Sequence, residues 1–380
     1  MAQTALTLAL LVGAGLLIRT MMNIARVPSG YKITHILTMS VTEVQSRATW
    51  TSFHREAWER VAALPGVEYA AFAWGVPLTG NNWPATLEIE GQPPAVKETD
   101  KTALPLRAVT EDYFKLMDVA LLAGREFRST DDYTSPKVAI VNRAFVDRYF
   151  SRGDAIGRKI WMGGRDKPGM EIVGEIANSR TDDLTQKASP EVYLPLWQAT
   201  AFSKHLLVRT SADPSSMVVA VERELHAIDP TAAVENVKTL EQIRDDSLAS
   251  RTFAMRLLIG FSLVGSALTL VGVYGVLSLS VASRKRELAI RSALGAQQKN
   301  IRMLIFGEGF QLIAGGVLAG VALAIVLSRV LRSFLFGVQP SDPATLIVVG
   351  ALFVAVALLA CWGPVRRATM VDPLEALRYE

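Results

Sequence analysis

The chain is poor in the residues with which proteins cut bonds or hold metals. It has one cysteine, Cys361, and four histidines, His35, His54, His205 and His226, in 380 residues. One thiol excludes an intrachain disulfide, and a domain of this size does not need one because its apolar core can be large enough alone. Cys361 sits inside an apolar stretch and reads as a packing residue. The histidines share no metal-ligand spacing, and there is no His-Glu-x-x-His and no Gly-x-Ser-x-Gly. A nucleotide-binding loop is missing too. Gly163–Gly169 is glycine-rich, but Pro168 follows Lys167 where a serine or threonine would be needed, so it cannot open a phosphate-binding helix. The sequence therefore carries no catalytic constellation, no metal site and no cofactor, and any ATP it uses must be hydrolysed by another subunit.

A nucleic-acid footprint is also lacking. Between Arg19 and Arg251 there are 28 basic and 30 acidic residues, whereas the rest of the chain has 12 basic and 6 acidic. A nucleic-acid binder would put its basic excess on the soluble part. The acidic pairs Asp131-Asp132 and Asp182-Asp183 lie next to turns and read as solvated loop charge, since a cation site needs more converging oxygens.

What the chain does have is long uncharged runs. Met1–Ile18, Leu257–Ser283, Gly309–Ser328 and Pro343–Val365 hold no charged residue. A bilayer core of about 30 Å takes roughly 20 apolar residues per helix. The expected fold is a membrane α-helical protein with four transmembrane helices and an α+β extracytoplasmic domain of two lobes. Its divisions are helix 1 at 1–21, the external domain at 22–250 and a second membrane part at 251–380, with helices at about 257–281, 304–328 and 344–363. Met1–Ile18 has no basic flank before it and no cleavage site after it, so it reads as a retained helix, and the chain as one half of a longer polypeptide. The loop Arg284–Arg302 carries Arg284, Lys285, Arg286, Arg291, Lys299 and Arg302 against Glu287 alone, and the tail carries Arg366, Arg367 and Arg378. Positive residues collect on the cytoplasmic side, which places the domain of 22–250 outside.

In that domain the pattern predicts strands at Lys137–Val141, from Glu171, at His205–Arg209 and at Ala233–Val237. Helices are expected from Asn142 to Phe150 and from an Asp213 cap to Ala227, and Val61–Leu64 ends an earlier one. Gly80–Pro84 and Gly163–Gly169 read as loops, with Trp83 either an exposed contact or buried under its loop.

Polar groups are scarce in the apolar runs. Glu308 reads as an interfacial carboxylate, and no row of charges supports a proton or ion path. Small residues are plentiful. Gly13, Gly15, Gly265, Gly272, Gly275, Gly316 and Gly320 permit close helix approach, the last two in a Gly-x-x-x-Gly pattern. Glu287–Ala296 is a short amphipathic segment of helix formers ending at Gly295, with Glu287 and Arg291 spaced i,i+4. It is either an element that receives force from a cytoplasmic partner or a plain surface helix.

At this segment the chain resembles the MacB/FtsX-type ABC transporter permeases. Arg286–Ala296 fits their R-E-x-x-I-R-x-A-x-G-A signature, and Pro364–Ala368 with Asp372–Arg378 fits the P-x-x-R-A…P-x-E-A-L-R ending. Tyr113-Phe114, Leu121–Phe127, Val138–Asn142 and Asp154–Arg158 resemble the MacB-like core, and Leu335–Val338 before Asp342-Pro343 resembles duplicated orphan permeases. The resemblance implies a non-catalytic subunit of the inner membrane that passes ATP-driven motion to a periplasmic domain for efflux. It further implies a separate cytoplasmic ABC ATPase, a second permease unit or fused half, membrane lipid and a periplasmic adaptor as partners. It assigns ATPase coupling to Glu287, Ile290, Arg291, Ala293, Leu294 and Gly295. The alternatives are an FtsX-like regulator of a cell-wall hydrolase and a lipoprotein-releasing permease.

Overall fold

The computed structural model describes residues 2–42, 47–80, 83–92, 102–150, 153–199, 205–284, 287 and 298–368. Cys361, Glu308 and Trp83 have described backbones, but their side chains lie outside the description. The chain forms two compact units, one of residues 1–26 with 249–380 and one of residues 27–248.

The first helix, α1, spans Ala2–Ala25. The second unit follows with β1 (Ile36–Thr42), α2 (Arg47–Ala62), β2 (Val67–Ala73), β3 (Trp83–Ile89), β4 (Thr102–Val109), α3 (Tyr113–Met117), β5 (Leu121–Gly124), β6 (Val138–Asn142), α4 (Arg143–Tyr149), β7 (Lys159–Met162), β8 (Met170–Ile176), β9 (Val192–Pro195), β10 (His205–Thr210), α5 (Val218–Ile228), β11 (Ala233–Thr239) and α6 (Leu240–Ser247). The chain then returns to the first unit with α7 (Ala249–Ser283), α8 (Gln298–Val330) and α9 (Pro343–Ala368).

The strands of the second unit pair in the order β11-β1-β10-β2-β4-β3-β7-β8-β6-β9, and β9 also pairs with β4. The stretch from β4 to β9 therefore closes into a ring of six strands. β9 lies parallel to β4, with Arg107 opposite Tyr193, and antiparallel to β6. Closure leaves those strands no open edge. Period-two alternation sends Leu104 and Leu106 of β4, Ala139 and Val141 of β6, and Val192 and Leu194 of β9 into one buried cluster, capped by Phe145 and Val146 of α4. β11, β1, β10 and β2 form an antiparallel extension with its own cluster, in which Trp50, Phe53, Ala57 and Val61 of α2 and Val221 and Leu225 of α5 cover Leu37, Met39, Phe72, Leu206 and Val208. β2 meets β4 at Ala73 and Val109, so the two cores are joined along β4.

The alternation that points Leu106 inward points Arg107 the other way, into a buried polar knot. Its guanidinium lies 2.9 Å from Asp182 and 3.8 Å from Glu191, and Glu191 is 1% exposed. Tyr193 donates to Glu191 Oε2 at 2.6 Å, and the Thr181 hydroxyl donates to the other oxygen. Burial pushes the Glu191 carboxyl above the usual carboxylate range, against the pull of Arg107. Burial also opposes the charge of Arg107, but Glu191 foremost among its neighbours holds it above its ordinary value. Tyr113, fully buried beside them, is pushed up to about 12 by burial.

Two acidic pairs expected as solvated charge are built into the fold. Asp131 is 5% exposed and takes a bidentate pair from Arg125 at 2.7 and 3.0 Å, while Asp132 bonds the Thr134 amide and hydroxyl. Asp182 anchors Arg107, and Asp183 bonds the amide and hydroxyl of Thr185. The expected loop at Gly80–Pro84 is shorter than its composition suggests, because Trp83 and Pro84 already belong to β3. Pro84 sits opposite Pro105 there, so neither interrupts the ladder from one side only.

In the first unit Asp342 accepts from the Thr345 amide at 2.9 Å and its hydroxyl at 2.6 Å, with Pro343 at the first helical position of α9. Arg19 of α1 pairs with the same carboxylate. The Thr345 bonds, then Arg19, hold Asp342 below its ordinary pKa. A depressed carboxylate contributes stability above the ordinary carboxylate range and loses it as pH falls through the lowered value. Asp342→Ala is expected to cost about 1 kcal/mol of stability, read as a lower thermal midpoint of the purified chain at neutral pH. The gap from wild type should narrow below roughly pH 4, and Asp342→Asn should retain most of the cap.

Candidate functional site

Three described helical stretches are long and apolar enough to cross a bilayer, in Ala2–Ala25, Ala249–Ser283 and Ile313–Val330, and Pro343–Leu359 forms a shorter apolar one. α1 is the one the others surround. Twelve of its 24 residues are buried, and its Leu8, Ala9, Val12 and Leu16 form one cluster with Ala324 of α8 and Phe353 of α9.

Glycine makes this possible at two places on α8. A Cβ built on Gly316 would lie 2.6 Å from Thr4 Cβ, and one on Gly320 would lie 2.9 Å from Leu8 Cβ and 3.1 Å from the Ala5 Cα. No side chain fits in either gap, so α1 and α8 meet nearly backbone to backbone. A Cβ built on Gly15 of α1 would lie 3.0 and 3.1 Å from methyl groups of Thr345 and Val349 of α9, and one on Gly265 of α7 would lie 2.9 Å from the Thr7 hydroxyl. Gly272 and Gly275 are not drawn into this seam: a Cβ on Gly272 would meet Gln3 at an ordinary 3.5 Å, and one on Gly275 meets no described atom within 4 Å.

Two described side-chain bonds tie α1 to other parts of this unit. Thr7 and Thr269 share a hydrogen bond of 3.0 Å between α1 and α7, and the Asn23 amide donates to the Gly337 carbonyl at 3.1 Å. Such bonds fix the register of α1 against its neighbours. Sequence inspection finds the glycines but not Thr7 and Thr269, since a threonine in an apolar helix carries no signal of its partner.

Of the residues assigned to ATPase coupling, Glu287 is helical and exposed. Ile290, Arg291, Ala293, Leu294 and Gly295 lie outside the described residues, as does the Asp372–Arg378 ending. In the second unit the histidines serve structure. His54 is buried with its Nδ1 2.9 Å from the Trp50 carbonyl, His205 lies 3.2 Å from the Ser40 hydroxyl, and His226 lies 3.1 Å from the Ala232 carbonyl. Among the described residues no group of three His, Cys, Asp or Glu side chains is placed to hold a metal ion.

An α+β domain inserted between the first and second of several apolar helices describes a membrane permease with an external domain. The MacB-like periplasmic core domain matches residues 1–238 and the FtsX-like permease C-terminal matches residues 259–373. The chain belongs to the MacB/FtsX-type ABC transporter permeases. It is 28% identical over 293 residues to the ABC transporter permease YvrN of Bacillus subtilis (strain 168), which covers 72% of this chain and 69% of that one. It is 26% identical over 297 residues to the macrolide export ATP-binding/permease protein MacB of Neisseria meningitidis serogroup A, covering 75% of this chain and 45% of that protein. The chain thus spans less than half of the meningococcal relative. The solved periplasmic region of MacB from Actinobacillus actinomycetemcomitans overlays with a TM-score of 0.40 at 12% identity, over 59% of this chain and 97% of that one.

Proposed function

We propose that this chain is the permease subunit of an efflux transporter in the inner membrane, driven by a separate cytoplasmic ABC ATPase whose motion it passes to its periplasmic domain. The observation that carries the reading is the seam on α1. The external domain leaves the membrane unit from the end of α1 and re-enters it at the start of α7, and these two helices are bonded through Thr7 and Thr269. A shift of α7 or α8 against α1 therefore reaches both attachment points of the domain. The helices need no channel in this scheme. The division at 1–21, 22–250 and 251–380, four bilayer crossings and a two-lobed external domain belong to the same proposal, as do a second permease unit, surrounding lipid and a periplasmic adaptor.

The coupling contact in this reading is the segment of Glu287, Ile290, Arg291, Ala293, Leu294 and Gly295. Its leucine and isoleucine enter a groove of the ATPase, and Arg291 pairs with an acidic group there. Gly272, Gly275, Gly316 and Gly320 serve helix packing, Gly316 and Gly320 through the close approach of α8 to α1. In vesicles holding the chain and its ATPase, Arg291→Glu and Gly295→Pro should each leave membrane insertion intact and abolish the hydrolysis that transport substrate stimulates. Substrate-stimulated hydrolysis at the wild-type rate in both variants overturns the assignment.

A further inference from the structure

We propose that the external domain carries a binding site for a small single-chain amphiphile with one anionic head, at the end of the six-stranded ring where β6 begins and β7 turns into β8. A cavity of about 220 Å³ opens there. Val138, Met162, Met170 and Leu194 supply apolar wall, and two of them, Met170 and Leu194, belong to the ring's own core. The slot is thus a place where the core reaches the surface. Pockets for drug-sized ligands run to roughly 300–1,000 Å³, so this one suits a short alkyl chain or a single ring and is too small for a macrocycle. Unbranched, polarisable methionines on two sides let it adapt to such a shape.

The mouth carries charge of one sign. Lys137 and Lys167 both line the cavity, and no carboxylate is present among its described lining residues. Lys137 Nζ lies 4.9 Å from the centre of the Tyr133 ring, which is 67% exposed and forms an amphipathic lip. Lys167 stands in the glycine-rich turn whose sequence cannot bind nucleotide. It folds back over Gly163, where a Cβ would come within 2.8 Å of its Nζ and where φ is +83°. A glycine is required for that turn and for the lysine's return. Gln198 also lines the slot, but its amide is occupied by the Val138 amide, the Ser135 hydroxyl and the Pro136 carbonyl, so it shapes the wall and leaves recognition to the lysines. An apolar slot whose lining includes two lysines selects a molecule that is apolar at one end and anionic at the other.

The test uses the full chain in lipid nanodiscs, without ATPase, so that its outcome is separate from that of the coupling assignment. A short alkanoic acid bearing a diazirine is photolysed with the chain, and labelled peptides are mapped by mass spectrometry. Labelling is expected in residues 133–138 and 162–170, and excess unlabelled acid should suppress it, while the matching neutral alcohol should compete about tenfold more weakly or worse. The double variant Lys137→Glu with Lys167→Glu and the slot-filling Met162→Trp should each lower this labelling by about tenfold or more. Lys137→Arg with Lys167→Arg should keep it and shows that the site still folds. Labels confined to the apolar helices, equal competition by acid and alcohol, or labelling indifferent to charge reversal each overturn the proposal.

Discussion

Arg107→Met is expected to destabilise the external domain by about 3–5 kcal/mol, because it strands a buried carboxylate. Glu191 is 1% exposed, and after the change it would keep the hydroxyls of Thr181 and Tyr193 and lose its only close cation among the described residues. Asp182 is better placed to survive, since its side chain is 34% exposed and can be hydrated. One control separates charge from shape. Arg107→Met combined with Glu191→Gln removes the stranded charge and retains an acceptor for Tyr193, so it should be more stable than Arg107→Met alone. The pH dependence has a definite sign. The folded-state pKa of Glu191 is already raised by burial and rises further without Arg107. A raised carboxyl contributes stability below its unfolded pKa and loses it as pH rises through the folded value. The single variant should therefore recover part of its deficit as pH falls from neutrality toward about 5, near the unfolded glutamate value. Thermal unfolding followed by tryptophan fluorescence reads this directly, since Trp50, Trp58 and Trp197 lie in or against the second unit's core. For a domain of this size the loss corresponds to a midpoint lower by roughly 10 °C. A shift under about 1 kcal/mol would mean that the knot is solvated and not a structural tie.

That knot also marks where sequence reading stops. The pairs Asp131-Asp132 and Asp182-Asp183 look like turn acids, and half of each does serve a turn. Their neighbours Arg125 and Arg107 are indistinguishable from other arginines until the strands place them. The signals that read correctly were local. The helix expected from Asn142 to Phe150 forms as Arg143–Tyr149, and Asn142 caps it, its Oδ1 accepting from the Phe145 amide at 3.0 Å. The same oxygen accepts from the Glu191 amide at 3.0 Å, a contact 49 residues away that no local pattern announces. The Asp213 cap was legible, but the first turn it begins is a 3-10 turn at Pro214–Met217 before α5. Ring closure by β9 against β4 was invisible, because a four-residue parallel strand carries no signal of a partner some ninety residues earlier. The apolar helices were plain from charge alone. The Gly-x-x-x-Gly spacing set Gly316 and Gly320 apart, but nothing in the sequence shows that the space beside Gly275 is open.

Gly320→Leu is expected to be the most damaging single change in the membrane unit. Even the Cβ of alanine would sit 3.1 Å from the Ala5 Cα, a backbone atom that cannot rotate away. Leu8 Cβ at 2.9 Å blocks the other side, and Leu8 is itself fully buried. Overpacking a tight site costs about 1–3 kcal/mol for small insertions, so alanine should fall in that range and leucine should drive α1 from α8. Gly316→Leu should act similarly, since the nearest atom to a Cβ built there, the Thr4 Cβ at 2.6 Å, is fixed by the α1 backbone. Gly275→Ala is the matched control: it adds the same atom in an open position and removes a poor helix former, so it should be neutral or stabilise by up to about 1 kcal/mol. Thermal loss of the monodisperse detergent-solubilised chain ranks the variants, with Gly320→Leu lowest, Gly320→Ala between and Gly275→Ala at or above wild type. If Gly320→Leu melts with wild type, α1 is not held where the seam places it, and a lever built on the register of α1, α7 and α8 loses its fulcrum.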